Sequence, residues 1–183
     1  MKVSSNDLYT GGEYFKNNPD WDIGDAGWKS AVIVDLLKKN NIAVTEVIET
    51  GCGAGGILAA LAGLDPRIKK LTGYDISPQA IDLARKNESG RIRFFNADIT
   101  AEETTKTELM LVIDVVEHVD DYYGFLRKLR PKSKYFMFHI PLDLSCRTVM
   151  KPHVMQQQRQ SVGHIHYFTR GTAEWALQDT GYE

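Results

Sequence analysis

The sequence predicts an α/β protein built on a doubly wound, Rossmann-like and mostly parallel sheet with helices on both faces. Three observations lead to this prediction. Short apolar runs alternate with helix-like segments from residue 28 onward, and such alternation requires right-handed crossovers between parallel strands. Polar residues end the first four apolar runs, and a glycine-rich turn follows the first of them. In open α/β sheets, ligands bind outside such strand ends.

Each element can be justified in chain order. An apolar stripe over residues 28–39 predicts the first helix, which the Asn40-Asn41 pair ends. Ser77 as an N-cap and Pro78 at the first helical position predict the start of a later helix. The same criteria predict strands at 47–49, 71–75, 91–95, 109–113 and 134–140, and helices at 28–39, 57–64, 78–87, near 101–106, 119–130 and 169–180.

Two segments fit the alternation less well. Residues 1–27 are polar and aromatic and contain Gly11-Gly12, and we expect them to form a loop-rich aromatic cap or lid on the main domain of residues 28–183. Residues 141–161 show neither helical nor strand periodicity over most of their length. We expect either a mobile loop beside the functional site or a disordered connector, and the sequence leaves both open.

Composition and charge argue against several partners. The chain has 183 residues, 43% apolar content and a net charge of −2, which gives no bulk attraction for nucleic acid or anionic lipid. No apolar run approaches the roughly 20 residues of a membrane span, and residues 1–6 lack the apolar core of a signal peptide. We therefore expect a cytoplasmic protein. Cys52 and Cys146 indicate neither a disulfide framework nor a catalytic thiol.

The most informative stretch is residues 47–56, Val-Ile-Glu-Thr-Gly-Cys-Gly-Ala-Gly-Gly. It reads as a buried strand that ends in Glu49 and runs into a turn where glycines let a ligand approach the backbone. Gly51, Gly53 and Gly56 also fit the dinucleotide-binding fingerprint, with Asp75 at a suitable distance to hold a ribose. The turn alone therefore leaves a nicotinamide-dependent oxidoreductase open.

Three further strand ends narrow the choice of family. Residues 73–77 (Gly-Tyr-Asp-Ile-Ser), 96–99 (Asn-Ala-Asp-Ile) and 113–119 (Ile-Asp-Val-Val-Glu-His-Val) each place polar groups after an apolar run. Together with Glu49-x-Gly-x-Gly, they resemble the class I S-adenosylmethionine-dependent methyltransferases. Residues 114–119 and 163–169 are similar to the branch that includes the ubiquinone-biosynthesis O-methyltransferases and many small-molecule methyltransferases. The resemblance covers residues 28–183.

The resemblance implies a site for S-adenosyl-L-methionine and its product S-adenosyl-L-homocysteine. The loop at 49–55 would surround the methionyl part, Asp75 would accept hydrogen bonds from the ribose, and Asp98 would accept one from the adenine amine. Tyr14 and Trp28 would close over the methionyl end. The full set of expected cofactor-binding residues is Tyr14, Trp28, Glu49, Gly51, Cys52, Gly53, Asp75, Ile76, Asn96, Ala97, Asp98, Ile99, Asp114 and Val115.

The implied reaction is in-line methyl transfer to an oxygen or nitrogen of a small molecule, with residues 141–161 on the acceptor side. His118 is the candidate general base, because an imidazole with a pKa of about 6.5 suits proton removal. His139, His164 and His166 are alternatives. We expect no metal, since the His164-x-His166 pair lacks a matching carboxylate or cysteine cluster in the sequence.

Relatives continue after their last helix into an antiparallel hairpin that completes a seven-stranded sheet, and this pattern is missing before Glu183. We therefore expect the apolar fifth strand, at residues 134–140, to be an exposed edge. A truncated chain, a second copy or a partner chain would explain that edge. A non-catalytic or truncated S-adenosylmethionine-binding module stays an alternative function. An NAD(P)-dependent oxidoreductase is less favoured, because it would not need Glu49 and Asp98 in these places.

Overall fold

The computed structural model describes residues 9, 11, 14, 18, 21, 23–103 and 105–183. Among these residues, no helix has the length and apolar character needed to cross a membrane. The strands are β1 (Glu46–Thr50), β2 (Lys70–Asp75), β3 (Ile92–Asn96), β4 (Thr107–Ile113) and β5 (Ser133–His139). The α-helices are α1 (Ala26–Lys39), α2 (Gly56–Leu64), α3 (Pro78–Ala84), α4 (Tyr122–Leu129), α5 (Cys146–Val149), α6 (Pro152–Ser161) and α7 (Arg170–Asp179).

The five strands form one sheet in the order β3-β2-β1-β4-β5, and every pairing is parallel. From β1 the chain moves outward to β3 on one side and then crosses back to β4 and β5 on the other. The predicted doubly wound parallel sheet is therefore confirmed. The reversal between β1 and β4 creates the topological switch point, where open α/β sheets bind their ligands.

Helices cover both faces of the sheet, and β4 shows the consequence for the sequence. Leu109 and Leu111 pack into one core with Leu58 of α2, whereas Met110 and Val112 pack into the opposite core with Leu126 of α4. All six side chains are fully buried or nearly so. A strand buried on both faces needs a continuous apolar run rather than alternation, which is why β4 could be recognised from sequence.

Two predicted helix ends are confirmed by their capping contacts. The Ser77 hydroxyl accepts the N–H of Ala80 at 3.3 Å, and Pro78 occupies the first helical position of α3. Thr169 caps α7 in the same way, and Gly181 follows that helix with a φ of +90°. The left-handed backbone at Gly181 is typical of a residue that ends a helix.

The short helix predicted near residues 101–106 is wrong. The chain makes a single 3-10 turn at Ile99–Ala101, where a carboxylate oxygen of Asp98 accepts the N–H of Thr100 at 2.8 Å. The described residues just beyond this turn are not helical. Polar residues with good helix propensity suggested the helix, but they have no apolar face to bury.

The helix predicted at 119–130 begins later than expected, at Tyr122. Asp121 supplies the start, because its carboxylate accepts the N–H of Gly124 at 2.8 Å. A separate 3-10 turn at Val116–His118 lies between β4 and α4. This turn carries the side chains of Glu117 and His118.

The loop or disordered connector predicted over residues 141–161 is wrong for most of that length, because α5 and α6 lie within it. Pro152 stands at the first position of α6, where its missing N–H costs nothing. No residue of α6 is buried, so its sequence carries no apolar stripe. Periodicity cannot detect a helix that packs so little surface.

Within the described residues, β5 pairs with β4 alone and forms one edge of the sheet. Tyr182 packs edge-on against Phe136 and Phe138 of β5, with ring centroids 4.9 Å away from each. One face of the edge strand is therefore partly covered by the chain itself. Coverage of the edge by another chain stays a prediction.

Candidate cofactor and substrate site

Two adjoining cavities lie at the carboxyl ends of the strands, around the switch point. The first has a volume of about 190 Å³ and the second about 300 Å³. They share five lining residues, which join them into one cleft. These are Gly51, Asp75, Ile76, Val115 and Val119.

The turn after β1 forms the floor of the first cavity. Gly51 has a φ of +66°, and a Cβ placed on it would lie 2.5 Å from a methyl carbon of Val115. Backbone angle and space both therefore require glycine there. The Cys52 side chain is buried, and burial raises the pKa of its thiol well above the ordinary value. A thiol kept protonated is a poor nucleophile.

Glu49 is the most unusual side chain of the cleft. It ends β1, is only 1% exposed and lines the first cavity. None of the described residues donates a hydrogen bond to its Oε2 atom. Burial raises the pKa of this carboxyl well above its usual range, and the nearby Asp75 raises it further. A cation in the first cavity would reverse that shift, because it stabilises the ionised form.

Asp75 ends β2 and lines both cavities. One carboxylate oxygen accepts the N–H of Gly53 at 2.9 Å, and the other accepts the N–H of Ser77 at 2.8 Å. An ionised carboxylate offers about four acceptor positions, so these two bonds leave room for two hydroxyl donors.

The second cavity is built mainly from the ends of β2 and β3, from the turns that follow them, and from the segment between β4 and the middle of α4. Ile76, Ala97, Asp98 and Ile99, which the resemblance assigns to the cofactor, all line it. Asn96 lines neither cavity. Its side chain donates instead to the backbone oxygen of Asp75 at 2.9 Å and fixes the end of β2.

Asp114 follows β4 in a left-handed conformation, with a φ of +53°. Residues other than glycine rarely adopt this conformation, and it is often found at functional sites. The Asp114 carboxylate bonds Lys29 Nζ at 2.7 Å and His139 Nδ1 at 2.5 Å. Burial alone would raise the pKa of Asp114, but these two partners outweigh burial and lower it. Asp114 and Val115 both line the first cavity.

An aromatic wall closes the first cavity. Tyr9, Tyr14 and Trp21 line it, and the Tyr14 ring lies 4.9 Å from Tyr9 and 4.8 Å from Trp21. Tyr14 is thus where the resemblance implied. Trp28 lines neither cavity; it is half exposed and lies 6.0 Å from the His139 ring. Residues 1–8 and several others of the predicted cap over 1–27 lie outside the described residues, so the cap stays a prediction.

His118 also lines the first cavity, from the 3-10 turn after β4. Its Nδ1 atom lies 2.7 Å from the Tyr9 hydroxyl and 3.1 Å from the backbone oxygen of Gly163. Burial lowers the pKa of His118 to about 4, so the imidazole is neutral at pH 7. Beside it, burial raises the pKa of Glu117 to about 8.

Among the lining residues of the first cavity that were not predicted, three have polar or aromatic side chains: Tyr9, Trp21 and Lys29. Lys29 carried a usable signal. On α1 it lies three residues after Ala26 and four before Ile33, both of which are buried. A lysine on the buried face of a helix usually has a specific partner, and here that partner is Asp114. Tyr9 and Trp21 stand in an irregular segment that offers no period to read.

Comparison with known proteins agrees with this geometry. Residues 27–183 match the family described as the methyltransferase domain. A ubiquinone biosynthesis O-methyltransferase of Methylocella silvestris is 33% identical over 86 residues, which is 44% of this chain and 32% of that protein. A ribosomal protein L11 methyltransferase of a Shewanella species is 41% identical over 58 residues, or 32% of this chain and 19% of that protein. The chain therefore spans less than a third of the length of either curated relative.

Among solved structures, the magnesium protoporphyrin IX methyltransferase of Synechocystis with bound S-adenosylhomocysteine matches with a TM-score of 0.69. The two chains are 16% identical, and the match covers 97% of this chain and 87% of that one. At this identity the similarity shows a common fold. Because the family match extends over most of the sequence and the sheet topology agrees, the chain belongs to the methyltransferase-domain family, as its resemblance to the class I S-adenosylmethionine-dependent enzymes implied.

Proposed function

We propose that the protein binds S-adenosylmethionine and transfers its methyl group to an oxygen or nitrogen of a small molecule. The observation that carries this proposal is the buried Glu49 carboxylate, which faces a cavity at the switch point without a donor for its Oε2 among the described residues. An unpaired buried carboxylate is unfavourable. A ligand that brings an ammonium group into the first cavity would satisfy it.

The described residues fit three polar groups of this cofactor. Glu49 in the first cavity suits the ammonium group. Asp75, which lines both cavities and keeps acceptor positions free, suits the two ribose hydroxyls. Asp98 in the second cavity suits the adenine amine, while Ile76 offers an apolar surface for the ring. The S-adenosylhomocysteine bound in the Synechocystis structure supports the same ligand class here.

The bound cofactor would supply a methyl group already activated on a sulfonium. The protein's remaining task is to hold the acceptor in line with the bond that breaks, since orientation alone can contribute several kcal/mol to catalysis. Asp114, Val115 and His118 line the first cavity close to the expected methyl position. The wall formed by Tyr9, Tyr14 and Trp21 would exclude water from that space.

His118 is proposed to assist proton removal from a hydroxyl acceptor. It lines the first cavity, and in the tautomer whose Nδ1–H group faces the Gly163 carbonyl and the Tyr9 hydroxyl, Nε2 is left as the free acceptor. Replacement of His118 by alanine should slow turnover and leave cofactor affinity intact. An unchanged rate with every active acceptor would end this assignment.

Calorimetric titration with S-adenosylhomocysteine tests the proposed cofactor. We expect saturable binding that Asp75→Ala weakens strongly, with NAD as a negative control. If the folded chain did not bind S-adenosylhomocysteine, or bound NAD more tightly, the methyltransferase function would be contradicted. Binding without turnover in a screen of phenols, amines, carboxylates and sugar-linked acceptors would favour the alternative, a non-catalytic S-adenosylmethionine-binding module.

A further inference from the structure

Three polar side chains form a second group, and one of them, His118, lines the first cavity. Within the described residues, Glu117, His118 and His164 place one ligand atom each within 4.8 Å of one another. His118 Nε2 lies 3.8 Å from Glu117 Oε1, and the two imidazole rings are 4.9 Å apart at an angle of 70°. These separations suit one small ion at the centre of the three.

The backbone holds the two contributing segments together. Glu117 and His118 stand in the 3-10 turn after β4, whereas His164 belongs to the segment before α7. The backbone oxygen of Glu117 accepts the N–H groups of Ile165 at 2.9 Å and His166 at 3.1 Å. These main-chain contacts hold the backbones of the two segments next to each other.

Both histidines have their other ring nitrogen occupied by an acceptor. His164 Nδ1 lies 2.8 Å from a carboxylate oxygen of Asp143, and His118 Nδ1 lies 3.1 Å from the carbonyl oxygen of Gly163. The carboxylate and the carbonyl oxygen can only accept, so these contacts correspond to the tautomers with the hydrogen on Nδ1 and a lone pair on Nε2. In that tautomer of His118, the Tyr9 hydroxyl at 2.7 Å from Nδ1 is a second acceptor. Metal-binding histidines are usually oriented in this way by a carboxylate or a carbonyl group.

Glu117 provides an independent observation. The residue is only 1% exposed, and neither of its carboxylate oxygens has a hydrogen-bond partner among the described residues. His118 Nε2, at 3.8 Å from Oε1, is too distant for a hydrogen bond. A buried carboxylate with two unpaired oxygens is expected to have a ligand that supplies positive charge.

We propose that Glu117, His118 and His164 bind a divalent transition-metal ion at the wall of the cofactor cavity. Two imidazole nitrogens and one carboxylate oxygen suit zinc, cobalt, manganese or iron(II), whereas calcium and magnesium prefer oxygen ligands throughout. Three protein ligands leave coordination positions open, as in catalytic rather than structural sites. His118 lines the first cavity, so the ion would lie beside the space for the acceptor.

One consequence rests on the proposed methyltransferase function. A metal ion at this position would bind a hydroxyl acceptor and lower the pKa of that hydroxyl, so that its proton would pass to water. The oxygen would then form a bond to the methyl carbon as the bond from that carbon to sulfur breaks. His118 would then act as a ligand and could not remove the proton with the same nitrogen. The site would therefore favour acceptors that present a hydroxyl oxygen, and it would replace the base role assigned to His118 in the metal-free protein.

Metal binding itself is tested with cobalt(II) on the full chain after removal of metals by a chelator. We expect one equivalent to bind, with visible absorption bands that report nitrogen and oxygen ligands. Glu117→Gln and His164→Ala should each abolish the saturable signal. His166→Ala is the matched control, because His166 lies next to the cluster but bonds the backbone of Val119. This control should bind cobalt like the original chain.

A binding measurement with S-adenosylhomocysteine on each variant separates the possible causes of failure. A variant that binds S-adenosylhomocysteine but not cobalt supports the metal site. If the original chain binds S-adenosylhomocysteine but no cobalt, the metal site is overturned and the proposed function still stands. Cobalt binding that persists in both Glu117→Gln and His164→Ala also overturns the metal site.

A milder variant covers the case in which the two ligand variants do not fold. Asp143→Asn keeps the shape of the side chain that orients His164, and it should weaken cobalt binding by about 10- to 100-fold. Zinc should also raise the thermal unfolding temperature of the original chain more than that of Asp143→Asn, because a ligand of the native state stabilises it. Equal cobalt affinity and equal zinc shifts in the two proteins would count against the site.

Discussion

The two cavities of the cleft share Asp75 but are assembled in different ways. The second cavity comes mainly from residues that directly follow β1, β2, β3 and β4. The first combines such strand ends with Tyr9, Tyr14 and Trp21 from the beginning of the chain and Lys29 from α1. Strand ends of a parallel sheet meet at one edge by necessity, whereas distant segments reach a site only through tertiary packing. The second cavity can therefore be predicted from the sequence more fully than the first.

The largest expected effect on binding comes from the residue that both cavities share. Asp75→Ala should weaken S-adenosylhomocysteine binding by about 2 kcal/mol, since it removes charge-assisted hydrogen bonds, and this corresponds to roughly thirtyfold in affinity. Calorimetry measures the change. Asp82→Ala is a suitable control, because Asp82 is exposed on α3 and its side chain contacts only Arg85 among the described residues. Equal affinities in the two variants would remove Asp75 from the site.

Gly51→Ala should destabilise the shared floor of the cleft by about 1–2 kcal/mol through the left-handed backbone alone, with more from the contact with Val115. Denaturant unfolding measures this. Gly63→Ala in α2 is the matched control, because nothing lies within 4 Å of its added Cβ, and alanine should stabilise the helix by up to about 1 kcal/mol. A second change, Val115→Ala, should relieve the clash but not the backbone strain.

Glu49→Gln should affect the first cavity and pH stability together. Burial raises the pKa of the Glu49 carboxyl above its unfolded value, so the folded protein holds this proton more tightly. The stabilisation is complete below the unfolded pKa of about 4.3 and is lost as pH rises through the folded pKa. Glutamine cannot ionise, so its stability does not change in this way. The free energy of unfolding of the variant, minus that of the original chain, should therefore be larger at pH 8 than at pH 5. Denaturant unfolding at both pH values checks this; an identical difference at each pH would contradict it.

The smallest effect should come from Asp98, which is exposed and borders the second cavity only. Asp98→Ala should weaken binding by about 1 kcal/mol, the value of an ordinary hydrogen bond. Adenosine and S-adenosylhomocysteine should lose this equally, because both carry adenine. Glu49→Gln should weaken only S-adenosylhomocysteine, because adenosine lacks the ammonium group. If Glu49→Gln weakened both ligands and Asp98→Ala weakened only S-adenosylhomocysteine, the adenine would lie in the first cavity and the ammonium group in the second.

The sequence predicted much of the fold because the buried strands and capped helices carry local signals. Val47, Leu71 and Leu109 belong to apolar runs, and Ser77-Pro78 marks a helix start. The sequence did not predict α6, because none of its residues is buried and its sequence therefore has no apolar stripe. Trp21 and Trp28 show the limit for the site. Both are aromatic residues near the start of the chain, and only packing decides that Trp21 lines the cavity and Trp28 does not.

The cluster of Glu117, His118 and His164 was out of reach for a similar reason. The sequence shows His164 and His166 as a pair, but the structure directs them apart, one towards His118 and the other towards Val119. The carboxylate that completes the group stands 47 residues earlier in the chain, at Glu117. The spacing of His164 and His166 in the sequence therefore does not reveal which of them lies near a carboxylate.

The burial of Cys52 makes the protein a convenient object for site-specific labelling. Thiol reagents attack the thiolate, and Cys52 is both buried and held protonated, whereas Cys146 is exposed in α5. A maleimide dye or a nitroxide should therefore modify Cys146 alone in the native protein, without any engineered cysteine. Since Cys146 lies three residues from Asp143, which bonds His164, the attached probe would report on that region of the chain as ligands are added.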